Sequence, residues 1–255
     1  MSGRDFRPAL VVPVFNHGPA FSLMLPALQR HALPIIVVDD GSDAETRHLL
    51  ASLAARHEEL AVVRNVTNEG KGRAVIRGMR AAAERGCSHV LQIDADGQHD
   101  ADDIGHFLAE ARAHPGAVIA GVPRFDATIP RARLLGRYLT HFWVWVETLS
   151  FGISDSMCGF RVYPLEVMGP LLNHRWLGRR MDFDPEILVR LYWQGTPIIE
   201  IPTRVTYPAG GRSNFKLFSD NVLITMMHTR LVAGMLVRLP LLLRNRSRRS
   251  EVHHG

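Results

Sequence analysis

The sequence predicts an α/β fold, a mostly parallel central sheet with helices on both faces, and three observations predict it. Short apolar runs alternate with longer stretches of helical spacing from residue 9 to residue 121, the pattern of a parallel sheet covered on both sides. The runs end in polar clusters, Asn16-His17, Asp39-Asp40 and Asp94-Asp96, and ligands of such sheets bind beyond the carboxyl ends of the strands. The chain has 255 residues and 46% hydrophobic content, enough for one large domain with a real core.

The first strand is Ala9-Leu10-Val11-Val12-Pro13-Val14-Phe15, broken by Asn16-His17-Gly18-Pro19 and followed by a helix to about His31. Ile35-Ile36-Val37-Val38 is the second strand, and Asp43 caps the helix that runs to about His57. Leu60 to Arg64 is the third strand, and an alanine-rich helix follows from Lys71 to Arg85 with Gly70 and Gly72 at its mouth. His89-Val90-Leu91-Gln92-Ile93 is the fourth strand, Asp100 to His114 a helix capped by Asp100, and Ala117-Val118-Ile119-Ala120-Gly121 the fifth strand.

The formal net charge is +5, but Arg244-Asn245-Arg246-Ser247-Arg248-Arg249 carries much of the excess. The body is close to neutral, so no nucleic-acid footprint is expected. Cys87 and Cys158 are too far apart in sequence for a metal-ligand spacing and fit a reducing compartment. Met1 to Pro8 holds no apolar signal region, so a cytoplasmic location is expected. Val222 to Leu243 is strongly apolar but interrupted by His228, Arg230 and Arg238. That argues for an interfacial helix with a polybasic tail, bound to the inner face of the cell membrane, rather than a spanning one.

Asp94 and Asp96 stand at i and i+2 as the fourth strand frays, so their carboxylates point the same way. They repel unless a positive charge lies between them. A hard divalent cation with oxygen ligands, Mg²⁺ or Mn²⁺, is the natural neutraliser. Two other nucleotide motifs are missing: Phe15-Asn16-His17-Gly18-Pro19 is no G-x-G-x-x-G, and Gly70-Lys71-Gly72 is no P-loop, with Asn65 at the first glycine and Gly72 at the Ser/Thr position. Lys71 at a helix start can still meet a phosphate.

Several ordered segments together resemble the family 2 glycosyltransferases of the GT-A fold, especially the dolichyl- or polyprenyl-phosphate mannosyltransferase-like branch. They are Val12-Pro13-Val14-Phe15-Asn16, Val37-Val38-Asp39-Asp40-Gly41-Ser42, Asn68-Glu69-Gly70-Lys71-Gly72, Asp94-Ala95-Asp96-Gly97-Gln98-His99, Cys158-Gly159-Phe160-Arg161, Phe183-Asp184-Pro185-Glu186-Ile187-Leu188, and Gly195 with Glu200-Ile201-Pro202. The resemblance covers about residues 9–216. It implies that Pro13, Asn16, Asp39 and Asp40 line the nucleoside pocket, one aspartate of the pair facing the base, and that Asp94 touches the nucleotide. Asp96 and Gln98 would hold the metal on the diphosphate of a UDP- or GDP-sugar, and the sugar would transfer with inversion. His17 departs from the Glu common in the family, and Asp100 from the usual Pro.

Residues 1–216 are thus read as the catalytic domain, with a nucleotide-sugar half at about 9–121 and an acceptor half at about 122–216, and 217–255 as an amphipathic helix with a polybasic tail. In the acceptor half, Pro130 to Ser150 has helical spacing. Arg133, Arg137 and His141 form a cationic stripe there beside Leu135, Leu139, Phe142, Trp143 and Val146. Arg124, Arg133 and Arg137 would gather an anionic lipid head group, as arginines of this region do in the family branch. Asp184 resembles the acidic base of family 2 enzymes that glycosylate hydroxyls. If the acceptor is a lipid phosphate, already ionised, Asp184 orients groups instead, or acts only as a helix N-terminal carboxylate. Asp182 is the alternative base. Arg212 and Lys216, in the glycine-rich stretch Tyr207 to Lys216, are candidates to close over diphosphate and acceptor. Leu172 replaces the Gln of the processive Q-x-x-R-W motif. The leading reading is an inverting, metal-dependent transferase with a lipid-linked acceptor. The alternatives are the same fold acting on a hydroxyl, a nucleotide-sugar or lipid-binding module without turnover, and a nucleotidyltransferase.

Overall fold

The computed structural model describes residues 5–125, 131–174, 176–206 and 217–252, and side chains at 5–125, 134–174, 176–206 and 218–244. In order the elements are β1 (Pro8–Val14), α1 (Gly18–Gln29), β2 (Ile35–Asp40), α2 (Ala44–Ala54), β3 (Leu60–Asn65), α3 (Lys71–Glu84) and β4 (His89–Gln92). A 3-10 turn at Ala101–Asp103 leads into α4 (Ile104–Ala113), then β5 (Val118–Phe125), α5 (Arg131–Thr148), β6 (Arg161–Pro164), α6 (Leu165–Leu172), α7 (Phe183–Trp193), β7 (Ile198–Val205) and α8 (Leu217–Val252).

The strands form one sheet in the order β3-β2-β1-β4-β6-β5-β7. The pairings β1–β2, β2–β3, β1–β4 and β5–β7 are parallel, while β6 runs antiparallel to both β4 and β5. The mostly parallel sheet expected from the alternation is present. The two faces of each strand feed two cores, as the period of two requires. Leu10, Val12, Ile35 and Val37 pack with α1, α2 and α4; Val11, Ile36 and Val38 pack with α3, α6, α7 and α8. The chain adds β2 and β3 on one side of β1 and then crosses to place β4, still parallel, on the other. The carboxyl ends of β1, β2 and β4 therefore open onto one crevice, the position that α/β sheets use for ligands.

Local chemistry explains the helix starts. Asp43 accepts from the Thr46 amide at 2.8 Å and caps α2, and Asp100 accepts from the Asp102 amide at 3.0 Å. Gly70 precedes α3 with φ 99°, a backbone that side chains rarely adopt. Strands β6 and β7 were not expected. The first reads Arg-Val-Tyr-Pro with a buried arginine, and the second contains Pro202, which an edge strand tolerates. Cys87 is half-buried and Cys158 buried, both free thiols.

The 36-residue helix α8 packs on α5 and α7. The polar residues that break its apolar run face the body. His228 Nδ1 lies 2.7 Å from Glu147 Oε1, Arg230 Nη2 3.1 Å from Glu186 Oε2, and the Arg238 guanidinium 4.9 Å from the Trp193 ring centroid. Arg180 bonds Asp220 at 2.8 Å. Phe218, Met226, Leu236, Val237 and Leu241 face outward. These polar residues therefore do not by themselves exclude a spanning helix. The helix segment Phe218–Arg244 contains an 18-residue stretch of mean hydropathy 1.4, long and apolar enough to cross a membrane by length and composition.

Candidate active site

Three of the expected donor-side residues lie at the carboxyl end of β2 and its neighbour. Asn16 has φ 55°, and its side-chain oxygen accepts from the Asp43 amide at 2.9 Å while its own amide donates to Ser42 Oγ at 3.0 Å. It thereby ties the β1 and β2 loops together. Asp40 is saturated: Asn65 Nδ2 (2.7 Å), the Glu69 amide (2.9 Å) and the Gly70 amide (2.8 Å) all donate to its carboxylate. Asp39 accepts the Ser42 amide at 2.9 Å and has Arg64 Nη1 at 3.4 Å. The acidic pair is thus divided, Asp40 serving the loop that leads into α3. Pro13 lies in β1 opposite Val38.

Beyond β4 the expected free cation is not free. Lys71 Nζ sits 2.8 Å from Asp94 Oδ2 and 2.7 Å from Asp184 Oδ2, so its charge is already shared by two carboxylates. Burial opposes the ammonium, but Asp184 and Asp94 outweigh it and raise its pKa. Gln92 Nε2 donates to the other oxygen of Asp184 at 3.1 Å. Gly159 makes the room: a Cβ there would lie 2.6 Å from Lys71 Nζ and 2.9 Å from Gln92 Nε2. The wholly buried Arg161 completes the surround, donating to the Asp184 carbonyl (2.7 Å) and the Ser156 carbonyl (2.6 Å). Asp182 closes its own turn by accepting from the Arg180 amide at 2.9 Å and takes no part in this cluster.

The residues here fit a divalent cation. Asp94 Oδ1 and His99 Nδ1 are buried without a hydrogen-bond partner, and a buried orphan of this kind is costly unless a ligand satisfies it. Burial and the neighbouring Asp94 charge raise the pKa of Asp96, whose carboxylate accepts from the Gln98 amide at 3.1 Å. Asp94 itself is lowered: burial opposes its charge, and Lys71 and His99 overcome that. Among the described residues no group of three His, Cys, Asp or Glu has a ready-made metal-ligand arrangement. A cation here would therefore also need donors from Gln98, solvent or a substrate phosphate.

On α5, Arg137 and His141 of the cationic stripe turn inward. Arg137 holds Asp155 with both prongs, Nε at 2.5 Å and Nη2 at 2.8 Å, and His141 Nε2 lies 3.2 Å from the same carboxylate. Leu135, Tyr138, Leu139 and Phe142 are exposed instead. The reading of Arg137 as an open phosphate receiver is therefore corrected: a buried counter-ion, Asp155, was absent from the helix's own pattern. Arg124 is exposed on β5 in register with Arg204 of β7. The side chain of Arg133, and all of Arg212 and Lys216, lie outside the described residues.

A family-wide sequence profile described as Glycosyl transferase family 2 matches residues 9–169. The chain belongs to glycosyl transferase family 2. The chain is 27% identical over 223 residues to a dolichyl-phosphate beta-glucosyltransferase of Trichomonas vaginalis, a match spanning 75% of this chain and 61% of that relative. It is 28% identical over 215 residues to the polyprenol monophosphomannose synthase of Mycolicibacterium smegmatis, covering 78% and 77% of the two chains. An undecaprenyl-phosphate mannosyltransferase of Micrococcus luteus is 24% identical over 206 residues, with 77% and 82% covered. Among solved structures, glucosyl-3-phosphoglycerate synthase from Mycobacterium tuberculosis in complex with Mn²⁺ and UDP-glucose shares the fold at TM-score 0.65, with 15% identity over 92% of this chain and 79% of that one.

Within this family 2 chain, Asp184 lies beyond the matched span, yet the fold brings it to the same ammonium as Asp94. Sequence reasoning named His99 only as the end of a matched segment and gave it no role; it stacks on Phe160 with centroids 5.3 Å apart. The same reasoning missed Asp155, and gave no role to Glu200 of the matched Glu200-Ile201-Pro202 segment, whose carboxylate accepts from the Ser154 amide at 2.6 Å. His99 closes the quoted Asp94–His99 segment and was legible as part of it. Asp155 carries no signal beyond being an acidic residue in a Gly/Ser-rich loop.

Proposed function

We propose that this family 2 chain transfers a sugar, with inversion, from a nucleotide-diphosphate sugar to a lipid-linked acceptor that ends in a phosphate. The observation that carries the acceptor class is the double engagement of Asp184 by Lys71 and Gln92. A carboxylate held by an ammonium and an amide is poorly prepared to take a proton from a hydroxyl. An ionised phosphate needs no base. The lipid-phosphate acceptors in the names of the relatives above support the same reading.

On the donor side, Asp39 faces the base, since Asp40 is consumed by the loop, and Pro13 and Asn16 shape the nucleoside pocket. Asp96 and Gln98, beside the free oxygen of Asp94, would hold Mg²⁺ or Mn²⁺. Such an ion supplies Lewis-acid stabilisation of the charge on the departing nucleoside diphosphate. Arg124 and Arg204 present positive charge at the far edge of the crevice for the acceptor phosphate, and Arg133, Arg212 and Lys216 are further candidates for it. The outward apolar faces of α5 and α8 would rest on the inner face of the cell membrane, where the acceptor resides.

The test is incubation with Mn²⁺, a panel of UDP- and GDP-sugars, and vesicles carrying either a polyprenyl phosphate or the corresponding alcohol. Release of nucleoside diphosphate with sugar on the phosphate lipid alone is the expected outcome. Transfer to the alcohol, abolished in Asp184→Asn, would move the assignment to a hydroxyl acceptor with Asp184 as base. Pyrophosphate release would mark a nucleotidyltransferase, and no product from any donor a binding module.

A further inference from the structure

We propose that Lys71 is a positioning residue that changes partners: its ammonium is shared by Asp94 and Asp184 in the free protein and is kept by Asp184 alone once a divalent cation takes Asp94. The inference rests on the reading of Asp94 and Asp96 as the metal end of the donor site.

The geometry requires a choice. Lys71 Nζ lies 2.8 Å from Asp94 Oδ2 and 2.7 Å from Asp184 Oδ2, with the lysine side chain only 14% exposed. The other oxygen of Asp94 is buried and unpartnered. A doubly charged ion approaching that oxygen would stand within a few ångströms of the ammonium, and two cations so close in a partly dehydrated site repel strongly. Among the described residues the ammonium has one other anionic partner, Asp184, and it is already in contact with it.

Its backbone cannot retreat. The Gly70 amide is bonded to Asp40, and the Arg73 amide donates to the Arg179 carbonyl at 3.2 Å. A Cβ on Gly70 would lie 2.5 Å from that same carbonyl. The start of α3 is thus fixed from two sides, and Gly159 closes a third. Only the end of the lysine side chain is left to move.

Asp184 is built to receive it. Gln92 fixes one oxygen of the carboxylate and leaves the other to Lys71. A bare carboxylate at this position would repel an anionic acceptor, whereas the Lys71–Asp184 pair is neutral. Lys71 therefore serves the metal by leaving Asp94 and serves the acceptor by cancelling Asp184.

The test uses the full chain with Mn²⁺ alone, titrated by calorimetry, on wild type, Lys71→Met, Lys71→Arg and the double variant Lys71→Met/Asp184→Asn. The double variant removes both charges and guards against a Lys71→Met chain that fails to fold. Without a competing ammonium, the neutral variants are expected to bind Mn²⁺ at least about tenfold tighter, the size of one close charge–charge interaction. Lys71→Arg is expected to stay near wild type. In the transfer assay Lys71→Met is expected to lose about 100-fold in kcat with the donor KM little changed, the signature of a group that acts after donor binding. Unchanged or weaker Mn²⁺ binding in a folded neutral variant overturns the proposal, as does a Lys71→Met enzyme with full kcat. A wild type that transfers no sugar would overturn the functional reading, while the Mn²⁺ titration would still decide the role of Lys71.

Discussion

Arg137 grips Asp155 with two parallel hydrogen bonds, across 18 residues of chain and with only 11% and 5% of the two side chains exposed. The same carboxylate accepts from the amides of Met157 and Cys158 at 2.9 and 2.8 Å. It thereby sets the loop that delivers Gly159 to the site. Removing one partner of such a pair leaves a buried charge alone. Arg137→Met is expected to cost about 3 kcal/mol of stability, read by urea denaturation.

Asp155 also sets the acid limit. Burial opposes its charge, but the hydrogen bond from His141 and the Arg137 guanidinium prevail and hold its carboxyl well below the usual range. A depressed folded pKa contributes stability that is complete above the unfolded value and is lost as pH falls. Wild type is expected to lose stability as pH drops below about 4, and Asp155→Asn to show a flatter acid limb in melting temperatures measured from pH 6 to pH 2.5.

On the proposed donor-site reading, the division between Asp39 and Asp40 separates binding from stability. Asp40→Ala strips three donors of their acceptor and is expected to destabilise the chain by about 3 kcal/mol. Asp39→Asn is expected to raise the donor KM about tenfold, one lost polar contact to the base, with the melting temperature nearly unchanged. Differential scanning fluorimetry and donor titration together check both.

Gly159→Ala places a methyl group 2.6 Å from Lys71 Nζ and 3.1 Å from Asp94 Oδ2. Transfer is expected to fall about 100-fold, as misplacement of a site by roughly an ångström does, with secondary structure by circular dichroism intact.

Val237 is 81% exposed on the outward face of α8. Val237→Glu is expected to weaken sedimentation with anionic vesicles about tenfold, through lost apolar contact and added repulsion, without altering donor binding.

The first half of this fold was legible because each step repeats one rule: an apolar strand, a polar stop and a capped helix. Asp43 and Asp100 cap where the spacing places them, and Asp39, Asp40 and Asp94 stand at strand ends. The second half obeys long-range partnerships that no local pattern encodes. The solvent-facing appearance of Arg137 and His141 depended on not knowing that Asp155 lies opposite. Strand β6 escaped because its buried arginine is satisfied by carbonyls from two other segments. Lys71 looked like a phosphate ligand because its two carboxylate partners, at positions 94 and 184, meet only in three dimensions.

The placement of β7 at the far edge of the sheet has a consequence for synthesis on the ribosome. Strands β1 to β4 pair within the first 92 residues and can assemble as they emerge. Val118 must wait for Ile198 before β5 gains its outer neighbour, a delay of about 80 residues or several seconds of translation. During that interval β5 is an open sheet edge, the kind of surface that pairs with the wrong chain. The same strand brings Val205 to His99 and Thr206 to the Gln98 carbonyl, so the Asp94–His99 end of the crevice is among the last parts of the nascent protein to take shape.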